Sequence, residues 1–188
     1  MPQFLTYLLR QGTAQAHAHL EARLALLDGP ADRARIRGLL ARFHGFHAAW
    51  EPALARHDAL RPVLAGRSRL PHLARDLGAL GLDPAALAAL PACPGAAGLA
   101  ATLPAAVGSL YVVEGSTLGG TVIARALAKA PWLPAGGLAF FHPYGRETGP
   151  RWQALKAWID GRGDDVDHAE AVAAAVRTFG LLAEWLDP

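Results

Sequence analysis

The chain lacks the features that mark several common protein classes. Its 188 residues include one cysteine, Cys93, which excludes an intramolecular disulfide framework. No stretch approaches the roughly 18 uninterrupted apolar residues of a membrane-spanning helix. The start, Met1-Pro2-Gln3-Phe4, has neither the basic beginning nor the long apolar run of a secretory signal. We therefore expect a cytoplasmic protein with no membrane segment.

An excess of charge of one sign is also missing. The chain has 18 Lys and Arg against 16 Asp and Glu, a formal net charge of +2. The basic residues are scattered, with no Lys/Arg block and no alternation of basic with aromatic residues. We therefore expect no nucleic-acid partner, and a mild attraction to acidic partners.

Alanine, leucine and arginine are abundant, β-branched residues are few, and apolar residues recur at helical spacing, which predicts an all-α fold. Predicted helices cover about residues 4–27, 31–56, 70–80 and 99–129, with one opening at Pro150 and a last one running from Asp164 or Asp165 to about Trp185. The turn Asp28-Gly29-Pro30 ends the first. A short helix starts at Asp83 as N-cap and Pro84 as first residue. With no linker or repeat, residues 1–188 form one domain, a compact single-domain bundle of about seven to eight helices.

Glycines interrupt the helical pattern of residues 111–127. Gly115, Gly119 and Gly120 each cost roughly 1 kcal/mol relative to alanine, so about 3 kcal/mol in all needs an offset. Gly115 and Gly119 are four residues apart and share one helix face. They leave a strip without side chains that a flat ligand or another helix could touch.

A stripe of spaced residues marks the first predicted helix. Its members recur at intervals of three, four or seven: Arg10, Thr13, His17, Leu20, Glu21 and Leu24. His19 is about 200° around the helix from His17 and should face water. A histidine with a carboxylate one turn away suits metal ligation, with Glu21 accepting from the second ring nitrogen directly or through water. Alone, such a histidine indicates packing more often than ligation.

Two segments together carry a family resemblance. Arg10-Gln11-Gly12-Thr13-Ala14-Gln15-Ala16-His17-Ala18-His19-Leu20-Glu21, followed about a hundred residues later by Leu110-Tyr111-Val112-Val113-Glu114-Gly115-Ser116-Thr117-Leu118-Gly119-Gly120, resembles the haem oxygenase family. The Thr-x-x-x-His and Gly-Ser-x-x-Gly-Gly segments match in order, spacing and position. The chain looks most similar to the bacterial, biliverdin-producing branch often associated with bacteriophytochromes. Less specific similarity lies in residues 140–145 and in Trp152, Phe179 and Trp185.

The resemblance implies a haem held between two helices. His17 becomes the proximal ligand of the haem iron, with Glu21 as its hydrogen-bonding partner. Gly115, Gly119 and Gly120 fall in the family's kinked distal helix, where backbone lies over the ligand face of the haem. Many members carry an aspartate at the position of Ser116; with serine, proton delivery rests on the hydroxyl and on water.

The resemblance also implies the reaction and its partners. In the family, haem is both cofactor and substrate, and dioxygen with external electrons gives biliverdin, carbon monoxide and ferrous iron. The chain has no dinucleotide fingerprint or iron–sulfur cysteine set, so a ferredoxin or flavin reductase is the implied electron donor. A phytochrome is a candidate recipient of the biliverdin.

Cationic and aromatic residues complete the expected haem pocket. Haem propionates are anionic, which makes Arg10 the first candidate to bind them and Arg177 the second. Tyr111 lies four residues before Gly115 and is a pocket wall or a core residue, and Phe179 is expected in one of the same two places. Thr13 lies on the stripe of His17.

Other functions remain open from the sequence. A haem carrier or sensor could use the same pocket without turnover, a reading motivated by Ser116. A helical interaction module could need the glycines only for close helix packing. His44 and His47 have metal-ligand spacing but nothing completes the set. Cys93 could be a nucleophile in a thiaminase-like relative of this architecture, although no partner can be named.

Overall fold

Polar caps determine where several helices begin. The computed structural model of the chain describes residues 4–26, 32–135, 137–162 and 165–186. The side chains of Asp32, Asp83 and Thr102 each accept a hydrogen bond from a backbone N–H of the turn that follows. Pro84 then stands at the first position of its helix, which confirms the cap predicted there.

Helices account for the regular structure of the described ranges. The α-helices are α1 (Leu5–Leu24), α2 (Arg33–Leu54), α3 (Arg61–Leu64), α4 (Leu70–Ala79), α5 (Pro84–Ala88), α6 (Leu103–Leu127), α7 (Thr148–Asp160) and α8 (His168–Leu186). Single 3₁₀ turns lie at Asp58–Leu60, Ala96–Ala100, Ala139–Phe141 and Gly145–Glu147. The predicted all-α, single-domain bundle is confirmed.

Helix ends differ from the predicted ones where a local cap or turn takes over. α6 begins at Leu103, not near Leu99, because Thr102 caps it and a 3₁₀ turn occupies Ala96–Ala100. α7 begins two residues before Pro150, and the single turn of α3 was not predicted. The predicted turn at Asp28-Gly29-Pro30 and the predicted start at Asp164 lie outside the described residues. The alternative start at Asp165 was wrong, because α8 begins at His168 and the Asp167 side chain accepts from the backbone N–H of Glu170.

Helix α8 is the element against which both α1 and α6 pack. A Cβ on Gly12 of α1 would stand 2.5 Å from Cγ1 of Val172, and one on Gly108 of α6 would stand 2.0 Å from the carbonyl oxygen of Ala171. Both helices therefore approach α8 more closely than a side chain would allow. Since Ala171 and Val172 are consecutive, α1 and α6 lie on neighbouring sides of α8.

Helix α7 also packs against both α1 and α6. The backbone N–H and the hydroxyl of Thr6 on α1 donate to the two carboxylate oxygens of Asp160, at 2.9 and 2.7 Å. At the other end of α7, Trp152 lies against Gly115 of α6. Helices α7 and α8 thus each pack against both α1 and α6. We call these two helices the α1 wall and the α6 wall. Within the described ranges, we find no helix with both the length and the hydrophobicity to cross a membrane.

Candidate functional site

His17 lies on the α1 wall, oriented by an aromatic contact and a carboxylate. Its ring meets Phe179 of α8 edge-on, with centroids 5.4 Å apart. Nε2 is 3.6 Å from Oε1 of Glu21, one turn away, which is within ion-pair distance but longer than a hydrogen bond. The side chain is 54% exposed, so the imidazole is accessible to a ligand. His19 is exposed as well, as expected.

Thr13 and Arg10 have different surroundings on the same helix. Thr13 is buried, and its hydroxyl donates to the carbonyl oxygen of Leu9 at 2.7 Å, so it bonds its own helix and packs into the core. Arg10 is exposed. Burial raises the pKa of Tyr111 on α6, and the charge of Arg10 partly offsets that rise. The electrostatic influence of Arg10 therefore reaches the α6 wall.

The three glycines of α6 differ in what surrounds them, although the helix runs through all three without a break. A Cβ on Gly120 would stand 2.4 Å from the carbonyl oxygen of Phe141, so this glycine is required by packing. A Cβ on Gly115 would touch the Trp152 ring at 3.4 Å, and one on Gly119 would meet nothing within 4 Å. Gly120, predicted on the ligand face, instead faces the interior, and no packing offsets the cost of Gly119.

Exposed apolar and hydroxyl groups flank Gly119. Leu118 is 43% and Val122 50% exposed, and their four-residue spacing puts both on one face. Neighbouring exposed apolar side chains are typical of a surface that a ligand or partner covers. Ser116 is exposed, and its hydroxyl donates to the carbonyl oxygen of Val113 at 2.7 Å, which leaves its oxygen as an acceptor for water.

Aromatic and basic residues of α7 lie beside the glycine face. The Trp152 ring has its centroid 5.1 Å from that of Tyr111, and Nζ of Lys156 lies 5.7 Å from the Trp152 centroid. Lys156 was not predicted, although its position four residues after Trp152 indicates a shared face. Arg177 is exposed, but it stands about 200° around α8 from Phe179 and so points away from His17. The structure thus places Lys156 beside Trp152 and Gly115.

Two other reactive side chains singled out in the sequence, Cys93 and His47, are buried. Cys93 is buried, and burial raises the pKa of its thiol to about 11, the reverse of an activated nucleophile. Nδ1 of His47 lies 2.9 Å from Oε1 of Glu51. His47 is thus engaged by a carboxylate of its own helix.

Sequence reasoning missed a buried ionic cluster beside the glycines. Glu114 is 3% exposed and contacts Arg67, Arg69 and Tyr144. A signal was present, because Glu114 is the single charged residue of α6 before Arg125. Its partners, 30 to 47 residues away along the chain, follow no local pattern.

Comparisons with known proteins agree with this architecture. The family model described as Heme oxygenase matches residues 3–187. A heme oxygenase from Leptospira interrogans superimposes with a TM-score of 0.84 at 19% identity, covering 98% of this chain and 99% of that one. Heme oxygenase-2 from Synechocystis sp. PCC 6803, solved in complex with heme and NO, gives a TM-score of 0.81 at 22% identity over 98% of this chain and 84% of that one. No curated protein matches.

Proposed function

Because the chain belongs to the haem oxygenase family, we propose that it cleaves haem to biliverdin, carbon monoxide and ferrous iron, using dioxygen and external electrons. Bound haem supplies both the redox-active iron and the ring that is opened. The rest of the site serves to bind the haem, to orient it and to manage water and protons around it.

The observation that carries this proposal is the open position of Gly119. Packing against Phe141 explains Gly120, and the Trp152 ring limits the space at Gly115. Gly119 has neither constraint, yet the helix retains a residue that costs about 1 kcal/mol there. A haem lying against this face would give the missing reason, because any side chain at Gly119 would occupy space that the haem would need.

The residues around Gly119 fit a haem. His17 would supply an imidazole nitrogen for the iron, and Glu21, 3.6 Å from Nε2, would help to orient the ring. Phe179, in contact with His17, and Trp152, in contact with Tyr111, would be the apolar walls of the haem site. Arg10 and Lys156 provide the positive charge that carboxylate-bearing propionates require. The Ser116 oxygen and the backbone of Gly115 and Gly119 are the polar groups available to water on the distal side.

The partners follow from what the chain does not carry. Its sequence has no dinucleotide fingerprint and no cysteine set for an iron–sulfur cluster, so electrons come from a ferredoxin or flavin reductase. The Gly-Ser-x-x-Gly-Gly segment, with serine at position 116, supports the bacteriophytochrome-associated branch. In that setting the protein is cytoplasmic, and a phytochrome receives the biliverdin.

A haem titration followed by aerobic reduction tests the proposal. We expect a saturable Soret band and then the spectrum of biliverdin once a reductant is added. A Soret band without bile pigment after verified reduction would instead identify a carrier or sensor, the alternative favoured by the engagement of the Ser116 hydroxyl with Val113. No saturable spectral change would identify a helical interaction module without haem.

A further inference from the structure

A buried ionic cluster contacts α6 through Glu114, immediately before Gly115. The Glu114 carboxylate accepts from Nη2 of Arg69 at 2.8 Å, from Nη1 of Arg67, and from the Tyr144 hydroxyl at 3.0 and 3.1 Å. The side chains of Glu114, Arg67 and Arg69 are all at least nine-tenths buried. Three donors from outside α6 therefore converge on one carboxylate in a nearly solvent-free setting.

The cluster connects α6 to the start of α7. Arg67 also donates from Nε to the carbonyl oxygen of Val63 and from Nη2 to that of Arg151, at 2.6 and 3.1 Å. Arg151 in turn donates to the carbonyl oxygen of Gly66 at 3.0 Å. Because Trp152 follows Arg151 and touches Gly115, the cluster constrains both sides of that contact.

Tyr144 keeps a fixed protonation state in the cluster. Its ring lies under the guanidinium groups of Arg69 and Arg151, at 4.4 and 4.5 Å from the ring centroid. Burial, more than any other influence, raises the pKa of the Tyr144 phenol to about 12. The hydroxyl is therefore protonated at physiological pH and donates to Glu114.

Glu114 holds α6 from the side away from the open face. Its side chain leaves the helix about 100° from Gly115 and about 140° from Gly119. Residues 115–120 include three glycines, which offer no side chain of their own to fix the backbone. The contacts of Glu114 are thus the charged constraint on that backbone at its N-terminal end, beside the packing of Gly115 against Trp152 and of Gly120 against Phe141.

We propose that Glu114 is a positioning residue that fixes the distance of the Gly115–Gly119 backbone from the haem, without touching the haem itself. The inference rests on the proposed function for its haem-dependent part. Replacing the carboxylate by an amide leaves two buried guanidinium groups without a counter-charge. The cluster then rearranges, and the glycine segment loses its constraint.

Glu114→Gln is the test variant and Glu51→Gln its matched control. Glu51, on α2, holds the same 66–69 segment by accepting from the Ser68 hydroxyl at 2.6 Å and from the backbone N–H of Arg69 at 2.8 Å. Both variants remove one carboxylate that anchors this segment. Only Glu114 lies on α6.

Amide hydrogen exchange of the protein without haem gives the first readout. In Glu114→Gln we expect residues 115–121 to exchange about tenfold faster, while Glu51→Gln changes them less than about twofold. Equal acceleration in the two variants, or unchanged exchange in Glu114→Gln, would overturn the proposal. If Glu114→Gln fails to fold, Tyr144→Phe decides: it removes one donor without a charge imbalance, and exchange of 115–121 must rise about two- to threefold.

The ferric haem complex gives the second readout. We expect Glu114→Gln to bind haem within about threefold of the wild-type affinity, because His17 is untouched. The pH at which its visible spectrum changes from the acid to the alkaline form should shift by about half a unit or more, and Glu51→Gln should show no shift. Equal shifts in Glu114→Gln and Glu51→Gln would show that Glu114 contributes only to general stability. If the wild-type protein binds no haem, the proposed function fails, and hydrogen exchange still decides the role of Glu114.

Discussion

Replacing Gly119 should stabilise the protein while damaging its site. A Cβ at this position meets nothing within 4 Å, so Gly119→Ala introduces no clash. Alanine is favoured over glycine by about 1 kcal/mol in an exposed helix interior. For a protein of this size, that gain raises the melting temperature by about 2–4 °C.

Gly120→Ala provides the opposite case one residue away. Its Cβ would stand 2.4 Å from the Phe141 carbonyl oxygen, a backbone atom that cannot turn aside. Overpacking of this kind costs about 1–3 kcal/mol. Because the helix-propensity gain is the same in both variants, their free energies of unfolding should differ by about that amount, measured by urea denaturation without haem.

Haem affinity supplies the functional half of this prediction. Gly119→Leu places a large side chain on the face assigned to haem and should weaken binding at least about tenfold in a Soret titration. Gly38→Leu is the matched control, because Gly38 is an exposed glycine of α2 with nothing within 4 Å of its Cβ. Unchanged haem binding in Gly119→Leu, or destabilisation by Gly119→Ala, would refute the reasoning about this face.

Three further predictions test other parts of the structure. His17→Ala should abolish or greatly weaken axial ligation of added haem, whereas His19→Ala should leave the haem spectrum nearly intact; equal effects would refute the choice of face. Burial lowers the pKa of His47 below its ordinary 6.5, so the unfolded chain binds the extra proton first and the free energy of unfolding should fall as pH drops below about 6.5. His47→Gln should flatten this fall in denaturation curves, and a slope as steep as the wild type's would contradict it. Cys93, with a thiol pKa raised from 9.0 to about 11, should react with iodoacetamide at pH 8 at least about a hundredfold more slowly in the folded protein than in urea, and equal rates would show an accessible thiolate.

Local signals in the sequence predicted the helices well and their ends less well. The Asp83–Pro84 start was predicted from a cap followed by proline, and the same logic applied to Thr102 and Pro104 would have moved the start of α6 from Leu99 to Leu103. The long helix of α6 followed from its apolar pattern alone. Helix ends depend on single side-chain hydrogen bonds, which a periodicity cannot place.

The candidate site was predictable only where family spacing supported it. His17 and Gly119 follow from that spacing and stay predictions, but spacing alone could not distinguish Gly120, whose surroundings come from Phe141. Arg177 was chosen for its charge, and the rotation of α8 turns it away from His17. The Glu114 cluster was not predicted from the sequence, because the partners of Glu114 lie 30 to 47 residues away along the chain and only tertiary packing brings them together.

The parts of α1 before and after Gly12 are held to the rest of the protein by different contacts. Before His17, α1 is held by the hydrogen bonds from Thr6 to Asp160 and by the close contact of Gly12 with Val172. From His17 onward, its contacts include the ring of Phe179 and a hydrogen bond from Arg35 to the carbonyl oxygen of Leu24. Residue 17 lies about 7.5 Å beyond Gly12 at 1.5 Å per residue, so a tilt of about 10° at Gly12 displaces it by about 1 Å. If haem binds against the glycine face as we propose, the part of α1 after Gly12 is the part that would adjust its position to the ligand, while the part before Gly12 would stay in place.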